Sequence, residues 1–127
     1  MKINHIAIWT RQLEELREFY TKYFHGVSNE KYVNSNKGFE SYFIKFGDDS
    51  ASLELMRRKD ITTPGQEDLL GLTHFSFSVG SKEAVLEYTE LFRQDGYTVA
   101  SEPRTTGDGF FESAILDPDG NLIELTI

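Results

Sequence analysis

Residues 5–8 read His-Ile-Ala-Ile, and residues 74–77 read His-Phe-Ser-Phe. Each run precedes a helix-like stretch, and each half of the chain then closes on an apolar-Glu-Leu triplet, at residues 53–55 and 123–125. The two histidines lie 69 positions apart in the chain, and the two glutamates lie 70 positions apart. Two independent markers at nearly the same spacing indicate an internal repeat of long period.

Hydrophobic periodicity predicts the same order of elements in both halves. The first half is predicted to contain a helix over 12–24 and strands near 2–9, 27–33, 39–46 and 51–57. The second half is predicted to contain a helix over 82–95 and strands near 71–79, 97–101, 110–116 and 121–127. This order predicts an α+β fold, in which two βαβββ modules (residues 1–58 and 71–127) make up one domain over residues 1–127.

Two segments break these patterns and are predicted as loops. Residues 59–70 carry charges together with Pro64 and Gly65, which favours a linker between the modules and a candidate lid. Residues 102–109 contain Pro103 and two glycines, which favours a mobile loop. Each segment marks a place where the regular pattern of strands and helices is interrupted.

The composition of the 127-residue chain narrows the classes of function. Its formal net charge of −8 argues against general nucleic-acid binding and against a basic membrane-surface helix. No apolar run approaches the ~20 residues of a membrane span, and the N-terminus is too polar for a signal peptide. The absence of cysteine excludes disulfides, thiolate metal sites and a cysteine nucleophile. We therefore expect a cytoplasmic protein that acts on a small molecule.

Strand alternation places the histidine and the glutamate of each module opposite its apolar residues. Two imidazoles and two carboxylates suit a divalent transition metal, and the carboxylates neutralise its charge. Taken singly, each histidine could instead be a hydrogen-bonded or exposed residue, and each glutamate the solvent-facing partner of an amphipathic strand. The recurrence of the whole pattern favours a metal site. Its candidate ligands are His5, Glu54, His74 and Glu124.

Several other residues have two interpretations. Trp9 shares the strand face of His5, and it either packs in the core or lines a pocket. The charged run 57–59 is either a solvated linker, which we favour, or holds an anionic substrate group. His25 lies at a predicted helix C-terminus, where the helix dipole favours a capping role. The candidate substrate-binding residues are Trp9, Arg58, Arg104 and Phe111.

These residues occur in motifs that resemble the vicinal oxygen chelate superfamily, which includes glyoxalase I, bleomycin-resistance proteins and extradiol dioxygenases. The motifs are NHIAIW with His5, SLELM with Glu54, LTHFSFSV with His74 and LDPDGNLIEL with Glu124. The resemblance covers almost the whole chain, and the last motif is fairly specific. It implies paired βαβββ modules whose mixed sheets curl into a half-barrel around a metal site, with flanking helices.

The chemistry that the resemblance implies is chelation of vicinal substrate oxygens by a divalent metal ion, for which Ni, Zn, Co, Fe and Mn are all candidates. The likeness to glyoxalase I implies a lyase or isomerase of the lactoylglutathione lyase type, which transfers a proton on a hemithioacetal-like substrate. Glu124 is then the leading base and Glu54 the second. Trp9 and Arg58 replace an arginine and an asparagine that hold glutathione in glyoxalase I, which leaves the substrate open.

Two other classes of the same superfamily are alternatives. An Fe or Mn dioxygenase would use only His5, His74 and Glu124 as ligands, so the presence of Glu54 speaks against it. A non-enzymatic protein that binds a drug or metabolite often lacks the ligands, so the retention of all four weakens that alternative. The family also implies a homodimer, with ligands that come from one chain or are exchanged between two.

Overall fold

The computed structural model describes residues 2–63, 70–107 and 109–127. The elements are β1 (His5–Trp9), α1 (Leu13–Tyr23), β2 (Val27–Ser28), β3 (Tyr32–Asn34), β4 (Phe39–Lys45), β5 (Ser52–Arg58), β6 (His74–Ser78), α2 (Lys82–Gln94), β7 (Val99–Thr105), β8 (Phe111–Leu116) and β9 (Leu122–Thr126). The chain divides into two compact units, Met1–Gly65 and Gln66–Ile127. In the described residues, neither helix is long and apolar enough to cross a membrane.

The first unit is a mixed sheet with helix α1 packed on one of its faces. Its strand order is β1-β5-β4-β2, with β3 also paired to β4, and β1 runs parallel to β5. Apolar residues recur at helical spacing along α1 and alternate along β4 and β5, so that one helix stripe meets one sheet face. The buried apolar residues are Leu13, Leu16, Phe19, Tyr20, Tyr23, Tyr42, Ile44, Leu53 and Leu55.

The second unit repeats this arrangement with four strands. Its strand order is β6-β9-β8-β7, and β6 runs parallel to β9. The hydroxyl of Ser81 caps helix α2 by accepting a hydrogen bond from the Ala84 N–H at 3.1 Å, as its position before the helix predicts. Burying the apolar side of this sheet under α2 leaves its other side free for polar residues. The buried apolar residues are Val85, Phe92, Ala114, Ile115, Ile123 and Leu125.

The predicted α+β class is confirmed by two helices and two mixed sheets, but the strand expected over 27–33 is divided into β2 and β3. The division falls at Asn29, whose side-chain oxygen accepts the Phe43 N–H at 2.7 Å. A side chain thus takes a hydrogen bond that a backbone carbonyl would otherwise accept, which interrupts the regular ladder. Of the predicted linker 59–70, residues 64–69, which include Pro64 and Gly65, lie outside the described residues.

The prediction of a loop over 102–109 is wrong at its start, because β7 continues through Pro103 to Thr105. Proline lacks the N–H that a central strand needs, but β7 is an edge strand of its sheet. The pairing of β7 with β8 also shifts register between Ser101 and Arg104, where the proline lies. An edge position and an irregular register together accommodate the proline within the strand.

The glycine that follows helix α1 is required by packing rather than by its backbone angles. His25, not Gly26, adopts the positive φ of 54° after this helix. A Cβ at Gly26 would lie 2.3 Å from Cγ2 of Ile44 and 3.1 Å from the Tyr20 carbonyl oxygen. The exposed His25 therefore occupies the left-handed position at which a glycine is usual, and Gly26 allows the chain to approach β4 closely.

The Gly26→Ala variant is expected to lower the free energy of unfolding by about 1–3 kcal/mol, because a buried methyl group must displace Ile44 or the helix backbone. Urea denaturation measures the loss. Gly107→Ala is the matched control, since no atom lies within 4 Å of a Cβ placed there, and it should shift stability by less than about 0.5 kcal/mol. Equal stability of the two variants would contradict the packing argument.

A charged cluster fixes the segment that leads into β3. The Lys31 ammonium contacts the Glu14 carboxylate, which also accepts the Tyr42 hydroxyl at 3.0 Å. The Lys31 ammonium lowers the pKa of Glu14, while burial of the phenol raises the pKa of Tyr42. The Arg17 guanidinium lies 5.0 Å from the centre of the Tyr42 ring. Helix α1 and strand β4 thus hold the residue that immediately precedes Tyr32 of β3.

Candidate functional site

In the first unit, His5 and Glu54 lie on the face of the sheet opposite helix α1. Strands β1 and β5 pair in parallel, and Ala7 lies directly beside Glu54. His5 precedes Ala7 by two residues, so its side chain points to the same face of the sheet as that of Glu54. His5 Nε2 lies 3.9 Å from Glu54 Oε2. The glutamate side chain is 16% exposed and the histidine 41% exposed. The site is therefore open to solvent on the imidazole side and sheltered at the carboxylate.

The tautomer of His5 is set by a neighbouring amide. His5 Nδ1 donates a hydrogen bond to Asn4 Oδ1 at 2.9 Å, because an amide oxygen can only accept. The lone pair of the neutral imidazole is then on Nε2, the atom that faces Glu54. The Phe43 ring meets the imidazole edge-on, with 5.3 Å between the two ring centres, and restricts the orientation of the imidazole. Two electron-rich atoms facing one another favour a cation between them.

The second unit reproduces this geometry. Strand β6 pairs in parallel with β9, with Ser76 beside Glu124, so His74 again precedes the partner of the glutamate by two residues. His74 Nε2 lies 3.2 Å from Glu124 Oε2, and the side chain of Glu124 is 21% exposed. The repeat seen in the sequence therefore extends to strand register and side-chain direction.

The separations within the two pairs suit metal coordination. Two ligands on one ion at bond lengths of about 2.1 Å lie roughly 3.0–3.5 Å apart. The His74 pair has this separation, and a small side-chain rotation would bring the His5 pair to it. Within the described ranges, His, Asp and Glu side chains form no group of three or more close enough to hold a metal. Each unit thus offers two of the four predicted ligands.

Two of the predicted substrate-binding residues lie on the same face as His5 and Glu54. The Arg58 guanidinium carbon lies 5.4 Å from the centre of the Trp9 ring, a cation–π contact. Arg58 Nε also donates to Asp60 Oδ1 at 2.6 Å, and this contact lowers the pKa of Asp60. Arg58 is therefore already paired with a carboxylate, while half-exposed Trp9 keeps one side open.

The other two predicted substrate-binding residues lie on opposite faces of the second sheet. Arg104 lies beside Glu112, with 3.8 Å between Arg104 Nη2 and Glu112 Oε1, on the face that carries Glu124. Phe111 lies on the helix side of the sheet, where the ammonium nitrogen of Lys82 in α2 is 5.1 Å from the centre of its ring. Sequence reasoning missed Glu112, although strand alternation from Ala114, the partner of Glu124, identifies it.

Comparison with protein families identifies one match that spans nearly the whole chain. The model of the Glyoxalase/Bleomycin resistance protein/Dioxygenase superfamily matches residues 2–125. A separate comparison with curated proteins finds no match. The family match includes both histidine–glutamate pairs.

Solved structures show the same fold at low sequence identity. The trypanothione-dependent glyoxalase I of Leishmania major is 23% identical, with a TM-score of 0.80 over 99% of this chain and 86% of that one. A glyoxalase I from Zea mays is 20% identical, with a TM-score of 0.76 over 98% of this chain and 44% of that one. A glyoxylase/bleomycin resistance protein/dioxygenase domain from Frankia sp. is 18% identical, with a TM-score of 0.84 over 100% of this chain and 97% of that one.

Proposed function

This chain belongs to the Glyoxalase/Bleomycin resistance protein/Dioxygenase superfamily, and we propose that it is a metal-dependent lyase or isomerase within it. The proposed substrate is a small hemithioacetal-like molecule with vicinal oxygens. The observation that carries this proposal is the histidine–glutamate pair that recurs at the same strand register in both units. The proposed ligands are His5, Glu54, His74 and Glu124, and the metal is Ni, Zn, Co, Fe or Mn.

The chain's own residues divide the chemical work. A divalent ion, when bound, supplies Lewis-acid polarisation of substrate oxygens. Glu124 removes the proton from the carbon that bears the substrate hydroxyl and returns it to the adjacent carbonyl carbon, while the hydroxyl proton passes to the former carbonyl oxygen. Glu54 is the second carboxylate able to carry a proton. The sheltered position of both carboxylates limits exchange of that proton with solvent.

The proposal is tested by assaying the purified chain with the hemithioacetal of methylglyoxal and a thiol. The chain is first stripped with a chelator and then loaded separately with each of the five metals. We expect turnover only in loaded samples, together with no oxygen uptake on catechol. Oxygen uptake without hemithioacetal turnover would replace the proposal with a dioxygenase, and binding of metabolites without any turnover would replace it with a resistance protein.

Asn4 is expected to support metal binding through His5. Because its amide oxygen accepts from His5 Nδ1, the Asn4→Ala variant should weaken metal affinity by about 10–100-fold. Titration calorimetry with Zn²⁺ or Ni²⁺ measures the change. Asn36→Ala, in the exposed turn after β3, is the control and should bind metal as the wild type does. Unchanged affinity in Asn4→Ala would show that this hydrogen bond does not support the site.

A further inference from the structure

The glutamate-bearing face of the first unit carries an aromatic patch, which we define as Trp9, Tyr32 and Phe39. Strand pairing puts all three on that face, since Trp9 lies beside Met56, Phe39 beside Arg58 and Tyr32 beside Ser41. The centre of the Phe39 ring lies 6.1 Å from the centre of the Trp9 ring and 6.1 Å from the centre of the Tyr32 ring. The three rings thus form one continuous surface.

The second unit lacks the tryptophan of this patch. Trp9 follows His5 by four residues, and the residue that follows His74 by four is Ser78. Phe43 pairs with Glu54, whereas Ala114 pairs with Glu124. The two units share their histidine–glutamate geometry but differ beside it. Phe39, four residues before Phe43, corresponds to Phe110, four residues before Ala114, which is exposed. Trp9 is therefore the member of the patch that the fold does not require.

The patch is exposed, although its composition is apolar. Trp9 is 42% exposed and Tyr32 is 54% exposed. Contiguous exposed apolar surface, unlike single exposed apolar residues, is a feature of interaction and ligand-binding sites. The Arg58 guanidinium, which lies over the Trp9 ring, already pairs with Asp60 at 2.6 Å. What the patch offers a ligand is therefore apolar surface and ring faces, and the charge of the guanidinium over Trp9 is compensated by Asp60.

We propose that the aromatic patch binds a neutral planar ring carried by the substrate next to its vicinal oxygens. Met56, beside Trp9, is two residues beyond Glu54, or about 7 Å along the strand. A ring bonded directly to an oxygen-bearing carbon spans that distance. The placement of the oxygens at Glu54 rests on the proposed function, whereas ring binding at the patch does not.

Trp9 is the only tryptophan of the chain, so its fluorescence reports on the patch directly. Mandelate and lactate are suitable probes because they share a hydroxyl and a carboxylate and differ only in a phenyl or a methyl group. We expect mandelate to change the Trp9 emission and to bind about tenfold or more tightly than lactate. Excitation at the red edge of tryptophan absorption avoids the phenyl ring. Titrations are made both with a chelator and with Ni²⁺ or Zn²⁺ present.

Two variants locate the effect. Phe39→Leu keeps the reporter but removes one ring, and it should reduce the preference for mandelate by severalfold. Ser78→Ala changes the counterpart of Trp9 in the second unit and should leave the preference unchanged. Equal affinity for both probes, or a preference unaffected by Phe39→Leu, would overturn the proposal. Emission that changes with protein concentration rather than with mandelate would also overturn it, because a second copy would then cover the patch.

The titrations with chelator and with added metal separate this inference from the proposed function. If the chain prefers mandelate in the presence of chelator but binds neither Ni²⁺ nor Zn²⁺ when these are added, the patch is supported and the metal-dependent enzyme is refuted. Metal-dependent turnover of the methylglyoxal hemithioacetal without any mandelate preference would support the enzyme and refute the patch.

Discussion

The Glu124→Gln variant is expected to lose about 10²–10⁴-fold in kcat on its hemithioacetal substrate. The amide keeps the shape of the side chain but has no lone pair basic enough to accept a proton from carbon. Because an oxygen remains available beside His74, we expect the variant to retain metal, with reduced affinity. The measurement is kcat at saturating metal, with metal content determined on the same samples.

The neighbours of the two glutamates explain why Glu124 is the stronger candidate for the base. Glu124 is flanked across the strands by Ser76 and Ala114, which are small. Glu54 is flanked by Ala7 and by the ring of Phe43, which also contacts His5. A base must move between a ligating and a proton-accepting position, and small neighbours leave it room to do so.

Glu54→Gln and Glu112→Gln are the matched comparisons. Glu54→Gln should reduce kcat less than Glu124→Gln does, with a larger share of its effect on metal affinity. Glu112→Gln alters a carboxylate on the same face that is paired with Arg104 and should keep most of the activity. Full activity in Glu124→Gln would assign the proton transfer to another group and refute the role given to Glu124.

The alternation of apolar and polar residues predicts which face of a strand each side chain occupies, but not which strands lie next to one another. His5, Glu54, His74 and Glu124 were each predicted to point away from the helices, and strand register puts each on that side. In each unit the first strand pairs with the last, β1 with β5 and β6 with β9. This pairing joins residues that are about 50 positions apart in the chain. Periodicity along one strand contains no information on such pairing.

The differences from expectation have local physical causes. Proline and glycine predicted a loop after residue 101, but an edge position with shifted register admits Pro103. The aromatic ring of Phe111 suggests a site residue, whereas alternation from Ala114 puts Glu112, and not Phe111, on the face that carries Glu124. The role of Gly26 depends on Ile44, a residue of another element. Composition and motif indicate residue types, while tertiary contacts decide which of them share a surface.

Leu125→Ala is expected to lower the free energy of unfolding by about 2–5 kcal/mol, from a total of about 5–15 kcal/mol. Leu125 is fully buried under helix α2, on the side of β9 opposite Glu124, and truncating it leaves a cavity in a core that few side chains fill. Urea denaturation measures the loss, and Leu86→Ala, at an exposed position of α2, should stay within about 0.5 kcal/mol of the wild type.

Adjacent positions on β9 should therefore separate stability from activity. Folded Leu125→Ala, assayed at low temperature, should keep metal binding and most of its kcat, because the change is on the helix side of the sheet. Glu124→Gln should show the reverse, with near-normal unfolding and little turnover. If Leu125→Ala lost turnover while still folded, or if Glu124→Gln unfolded, the division of the strand into a core face and a chemical face would be wrong. That division is the physical content of the Ile-Glu-Leu triplet, since one residue of it faces the site and its neighbours hold the sheet to the helix.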